Sequence, residues 1–175
     1  EFWWDTLSRI LLESPTLPDA LELQIAGRSH TWRSDPAADR SDLHLAVWST
    51  LRVLAEDARA AALTELEHWA GAAPPRRLSD RALDPDEVRE LAASDAFTIG
   101  AHSISHASLP SLSDDDKLRE IGDSRSACEH LIGRAVTSFA YPFGDRDHTT
   151  ERIVAECGFR HACATDPGVA VSIRD

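Results

Sequence analysis

The chain is poor in lysine, methionine and tyrosine, and its basic residues fall well short of its acidic ones. Eighteen Lys and Arg residues face 30 Asp and Glu, a formal net charge of −12 at pH 7. That balance disfavours a nucleic-acid backbone or an anionic membrane surface as the main partner, because both repel an acidic protein. Lys117 is the single lysine, so there is no polybasic tract of the membrane-switch type. Methionine is absent and alanine abundant, a bias that reads as GC-rich coding rather than as a functional signal. The three cysteines, Cys128, Cys157 and Cys163, form no C-x-x-C pair and are odd in number. They argue against a disulfide framework and a structural thiolate zinc site, and for small buried hydrophobes. No run approaches the ~20 consecutive apolar residues that a membrane-spanning helix needs. A G-x-S-x-G elbow, a P-loop and a G-x-G-x-x-G fingerprint are all missing, which argues against a serine hydrolase, an NTPase and a dinucleotide enzyme. No internal repeat or low-complexity tract is present. The chain opens at Glu1 with no leader pattern, so a processed or truncated start is expected, and cytoplasmic and exported locations both stay open.

What is present is an ordinary globular balance, 42% hydrophobic and 27% charged in 175 residues, the size of one typical domain. Phe2, Trp3, Leu7, Ile10 and Leu11 recur at helical spacing until Pro15 and Pro18. Leu21 to Ile25 alternates apolar and polar as a half-buried strand does, and after Gly27 the chain returns through Ser29–Trp32 to complete a hairpin. A polar loop over Ser34–Asp42 precedes two helices, one with the stripe Leu43, Val47, Leu51 and Leu54, the other with Leu63, Leu66 and Trp69. Gly71 and Pro74-Pro75 close this section.

The second half is punctuated more sharply. Asp84, Pro85 and Glu87 form a helix-start signature, with Leu83 and Val88 placed for a hydrophobic staple, and the helix should run to Ala93. Phe97–Ala101 reads as a short buried strand. Ser113 caps a helix whose inner face is expected at Leu118, Ile121, Cys128, Leu131 and Ile132, ending at Gly133. Val136–Tyr141 is a strand, Thr149 or Thr150 opens a helix that closes at Gly158, and Phe159–Thr165 is a last strand. Strand, helix, strand, helix, strand predicts a parallel sheet in an α/β protein.

Chemistry concentrates where two of these strands end, the place where functional loops converge in α/β sheets and barrels. His102-Ser103-Ile104-Ser105-His106 follows the first strand. Histidines four apart share one face of a helical turn, with Cβ atoms about 5–6 Å apart, close enough to reach one cation at the Zn–N distance of ~2.0–2.1 Å. Two polar loop histidines with no ligand fit this spacing equally well, and two nitrogens alone leave a catalytic site short of a third ligand. Phe139-Ala140-Tyr141-Pro142-Phe143-Gly144 ends the next strand, and Pro142 with Gly144 imposes an irregular turn there. Asp145 and Asp147 follow that turn and are placed to touch a substrate. Asp114-Asp115-Asp116 is explained by the helix dipole alone and carries no site. His44, His68, His130, His148 and His161 are scattered and read as surface or satisfied core histidines. Trp3, Trp4, Trp32, Trp48 and Trp69 could stack on sugars, but helical spacing favours packing for Trp48 and Trp69.

Taken together, Ile99–His106 with Leu109, then Phe139–Gly144, Gly158-Phe159 and Ala162–Thr165, resemble the second and third motifs of the polysaccharide deacetylase (NodB-homology) family, over about Pro85–Gly168. The resemblance implies an α/β fold, part of a distorted (β/α) barrel over residues 80–175, with residues 1–79 a mainly helical, insertion-like region. It implies a metal-dependent hydrolase that removes acetyl groups, N-acetyl first, from a polysaccharide or glycan by cleaving a linear amide. His102 and His106 would match the metal histidines, with zinc the expected divalent ion. Phe143 would supply the backbone N–H that steadies the oxyanion, and Tyr141 and Asp145 would meet the substrate. The family's Thr-Phe-Asp-Asp type first motif and its late Leu-x-x-His acid have no match in this chain, and its third-motif arginine is replaced by Ala140. A truncated chain that holds metal weakly and is nearly inactive alone is therefore expected. A non-catalytic carbohydrate-binding domain and an amidohydrolase acting on a non-sugar amide are the alternatives.

Overall fold

Buried apolar stripes organise both halves of the computed structural model, which describes residues 2–25, 27–33, 40–71 and 81–166. The chain divides into two compact units, Glu1–Ala82 and Leu83–Asp175. The boundary expected between residues 79 and 80 falls in 72–80, outside the described residues, as does most of the polar loop before residue 40.

In the first unit, α1 (Trp3–Glu13) buries Leu7, Ile10 and Leu11 completely. β1 (Ala20–Ile25) alternates as its sequence predicts, with Leu21, Leu23 and Ile25 inward. It pairs antiparallel with β2 (Arg28–Arg33), so that Leu21 faces Trp32 and Ile25 faces Arg28. α2 (Arg40–Leu51) and α3 (Glu56–Ala70) close the core with Leu43, Val47, Leu51, Ala62 and Leu66. The tryptophans are largely structural. Trp3 stacks on Trp48 at 6.3 Å between centroids, and Trp69 Nε1 donates to the Ala20 carbonyl at 2.6 Å. Two arginines that no apolar pattern announces are also buried. Arg59, 4% exposed, lies over the Trp3 ring, and Arg9 pairs with Glu67.

The second unit begins at α4 (Pro85–Ala93). Its capping box is complete, because the Asp84 carboxylate accepts from the Asp86 and Glu87 amides while Glu87 accepts from the Asp84 amide. Leu83 is 54% exposed, so the box and not the staple seals this end. α5 (Asp114–Ile132) starts on Ser113, whose hydroxyl accepts from the Asp116 amide, and stops at Gly133, whose φ of 69° is left-handed. β3 (Ser138–Ala140), α6 (His148–Glu156) and β4 (His161–Cys163) complete a parallel β-α-β unit, with Phe139 opposite Ala162 and Ala140 opposite Cys163. α5 packs between α4 and α6. Arg125 ties α5 to its surroundings by donating to Glu129 and to the Cys157 carbonyl while lying over the Phe159 ring.

Two expectations are corrected. Phe97–Ala101 is not a strand. Only Ala101 joins the sheet, through an isolated parallel bridge to Phe139, and Phe97 is 54% exposed. An apolar run becomes a buried strand only when partners cover it, and here a single residue finds one. The α/β character holds, but among the described residues the sheet is β3, β4 and that bridge, which is not a closed barrel. Second, Leu118 is 51% exposed, and Lys117 and Ser124 join Ile121, Cys128 and Ile132 on the inner face of α5 in its place. Lys117 takes the buried position because its ammonium reaches Asp147 Oδ2 at 3.3 Å and Asp114 Oδ1 at 3.8 Å. No helix among the described residues is long and apolar enough to cross a membrane.

The burial contrast on α5 gives a direct test. Ile121→Ala should cost about 2–5 kcal/mol in urea unfolding, whereas Leu118→Glu, three residues away on the same helix, should change stability by no more than about 0.5 kcal/mol.

Candidate functional site

The end of the Ala101 bridge carries the first histidine. Ala101 donates its amide to the Ser138 carbonyl and accepts from the Ala140 amide, both at 2.9 Å, which brings His102 alongside Ala140. His102 Nδ1 lies 2.8 Å from the Ala140 carbonyl oxygen. A carbonyl only accepts, so Nδ1 carries a proton, and the neutral tautomer that fits this contact has its lone pair on Nε2.

The two imidazoles do meet, but not for the reason the spacing suggests. Residues 102–106 form no helical turn, and the backbone instead passes through left-handed conformations at Ser103 (φ 64°) and His106 (φ 54°). These bends fold the second ring back onto the first, leaving centroids 4.6 Å apart and the planes at 80°. Left-handed geometry costs a non-glycine residue about 1–2 kcal/mol, so something must hold the loop. The Ser103 hydroxyl accepts from the His106 amide at 2.9 Å. Glu120 of α5 accepts from the Ile104 and Ser105 amides and from the Ser105 hydroxyl.

The Tyr-Pro corner meets this pair directly. Pro142–Gly144 is a single 3₁₀ turn in which Phe143 is itself left-handed (φ 60°, ψ 2°). The Phe143 ring stands edge-on to His106, 4.6 Å away at 87°. Gly144 is required twice over. Its φ is +75°, and a Cβ built there would lie 2.1 Å from Thr165 Oγ1, the hydroxyl that donates to the Phe143 carbonyl at 3.4 Å. Arg146 secures the exit of the corner by pairing with Glu151 at 2.8 Å and with Asp166.

The remaining sequence candidates divide. Tyr141 is 5% exposed, and its ring packs edge-on against Phe139, so it forms the buried foot of the corner and offers no open face. Burial first, and then the Glu151 charge, push its phenol pKa up. Asp145 stays at the corner, where its Oδ2 accepts from the Ser108 hydroxyl at 2.8 Å. Asp147 is committed elsewhere, as the N-cap of α6 and the partner of Lys117. Bonds from the Thr150 hydroxyl and amide, followed by Lys117, hold its carboxyl below the ordinary value. Asp116 is likewise spent on Ser113 and Arg119, in keeping with a capping role for the acidic triplet. Ser108, Glu120 and Thr165 were missed from the sequence. Each acts through polar contacts to a loop, and no periodicity marks such a residue.

The chemistry of the donors suits a divalent cation in part. An Nδ1–H held by a carbonyl oxygen is the usual support of a metal-binding imidazole, since it orients the ring and leaves Nε2 for a metal. Among the described residues, however, no group of three His, Cys, Asp or Glu side chains comes together to hold one. Among the described residues, two candidate ligands thus meet without a third.

Comparisons with known proteins point the same way as the motifs. The polysaccharide deacetylase family model matches residues 28–162. The curated Bacillus subtilis protein YxkH, described as a polysaccharide deacetylase, is 25% identical over 88 residues, covering 50% of this chain and 31% of that protein. Among solved structures, a Bacillus cereus polysaccharide deacetylase is 26% identical, with a TM-score of 0.49 over 54% of this chain and 29% of its own. The Streptococcus pyogenes deacetylase PplD in complex with acetate is 23% identical, with a TM-score of 0.44 over 47% of this chain and 36% of its own. The chain therefore spans about a third of the length of these relatives.

Two outcomes test the corner. Gly144→Ala combines a left-handed penalty with a clash against Thr165 and should lower stability by about 2–4 kcal/mol, with the Phe143 and His106 ring resonances displaced in NMR spectra. Because the Asp147 carboxyl is held below its reference value of 3.8, its stabilisation is present above that pH and is lost as pH falls through the lowered value. Urea unfolding from pH 7 to pH 2 should then show Asp147→Asn less stable than the parent at neutral pH, with the gap closing in acid.

Proposed function

The chain belongs to the polysaccharide deacetylase family, and from that membership we propose that it carries the histidine pair and the oxyanion corner of a hydrolase that removes acetyl groups, N-acetyl first, from a polysaccharide or glycan. The observation that carries this reading is the contiguous row His102, His106 and Phe143, each ring 4.6 Å from the next and set at the ends of neighbouring, paired segments.

In this reading His102 and His106 hold a divalent cation, zinc first, through their imidazole nitrogens. Such an ion supplies Lewis acidity, making nearby water more acidic, toward a pKa of ~7, and polarising a carbonyl. The chain's own contributions are positional. The Ala140 carbonyl fixes the His102 tautomer, so that this ring presents a lone pair and not a proton. The Phe143 backbone N–H donates to the oxygen on which negative charge grows as water adds to the acetyl carbon. The left-handed conformation of Phe143, braced by Thr165 and by the missing Cβ of Gly144, orients that amide before substrate arrives. Asp145 offers a carboxylate to sugar hydroxyls at the corner, and Tyr141 supports the corner from below. The base that takes the proton from water and the third ligand are carboxylates in this scheme, and among the described residues no Asp or Glu completes a three-ligand group with the histidines.

The test is acetate release in excess Zn²⁺ from chitooligosaccharides, peptidoglycan fragments and small acetamides. Slow release from a glycan, reduced to background by either His102→Ala or His106→Ala, is the expected result. Release from acetamides alone would replace the glycan reading with a non-sugar amidohydrolase. Glycan binding with no release from any substrate would leave a carbohydrate-binding domain.

A further inference from the structure

Consecutive backbone amides that converge on one point form a concavity for an anion. The amides of Ile104 and Ser105 do so within the loop between the two histidines. The anion they receive is part of the chain itself, Oε2 of Glu120, at 2.9 Å from each nitrogen, while Oε1 accepts the Ser105 hydroxyl at 2.7 Å. The carboxylate therefore takes three donors from a five-residue loop whose first and last bends, at Ser103 and His106, are left-handed in residues that disfavour it. The Ser103 hydroxyl closes the His106 bend from inside, and Glu120 ties the loop to α5.

We propose that Glu120 is a positioning residue for the histidine pair. By holding the Ile104 and Ser105 amides it fixes the angle at which His106 returns against His102, and hence how well the two imidazoles share one cation. This rests on the metal reading above, and it adds a residue that touches neither cation nor substrate yet sets the affinity of the site.

The experiment uses the whole chain and Zn²⁺ alone, competed against a chromophoric chelator, with amide exchange and histidine-ring NMR read in parallel. Glu120→Ala should expose the Ile104 and Ser105 amides to exchange, shift both imidazole signals and weaken Zn²⁺ binding about 10- to 100-fold, the usual cost of losing an outer-shell partner. Glu120→Gln, whose amide oxygen still accepts two N–H bonds, should recover most of the affinity, a rescue that a general loss of stability would not show. If Glu120→Ala fails to fold, Glu120→Asp takes its place, since it keeps the charge but draws the carboxylate back from the loop. Zn²⁺ affinity unchanged within about twofold while the two amides exchange freely would overturn the proposal. If the parent chain takes up no Zn²⁺, the metal reading fails by itself. The positioning role is then decided by the ring signals, supported if they move in Glu120→Ala and return in Glu120→Gln, overturned if they stay put.

Discussion

The pairing of Ala101 with Phe139 is the constraint on which the candidate site depends. Two backbone hydrogen bonds, to the Ser138 carbonyl and from the Ala140 amide, set the register of a segment that is otherwise unpaired. Side chains alternate faces along extended backbone, so a slip of one residue would carry His102 to the opposite face and away from the Ala140 carbonyl. It would also part His106 from Phe143. The register does more than place two loops near each other, because it decides which nitrogen of His102 bears the proton.

The second requirement is strain that the surroundings hold in place. Ser103, His106 and Phe143 are the non-glycine residues with positive φ among the described residues, and all three lie in the two motif loops. Such conformations persist only where neighbours over-determine them. Each has an identifiable brace: the Ser103 hydroxyl on the His106 amide, Glu120 on the intervening amides, and Thr165 on the Phe143 carbonyl with Gly144 giving way. Without these braces the loops would relax toward ordinary turns, and the three rings would no longer form a row.

Much of this fold was legible in the sequence, and the boundary of legibility has a physical cause. Caps are local, so Asp84, Ser113 and Gly133 announced the ends of α4 and α5 correctly. Burial that follows a period is also legible, as with Leu7, Ile10 and Leu11 or with Leu21, Leu23 and Ile25. What failed depended on partners distant in the chain. Phe97–Ala101 has a strand's composition but one bonded residue, and Leu118 lost its inward position to Lys117 because Asp147 waits thirty residues on. The site shows the same division. The motif spacing placed His102, His106 and Phe143 together, but the helical turn assumed between the histidines is absent, and Glu120 carried no signal at all. Buried Arg9 and Arg59 in the first unit were equally silent, since each is paid for by a tertiary contact.

These distant partners converge on one helix. Lys117 and Glu120 stand three residues apart on α5, neighbours on its surface. The first holds Asp147, where the chain leaves the Tyr-Pro corner and enters α6, and the second holds the loop between the histidines. Ile121, fully buried beside them, docks that stretch of α5 into the core formed by Phe139, Val154 and Phe159. The spacing between histidine loop and corner is therefore set twice, by the register of paired backbone at Ala101 and by one turn of helix behind it. The opposite charges at Lys117 and Glu120 follow from what each must hold, a capping carboxylate in one case and backbone amides in the other. The chain's single lysine serves here, its ammonium on a flexible stem reaching the capping carboxylate of α6 from an almost fully buried position.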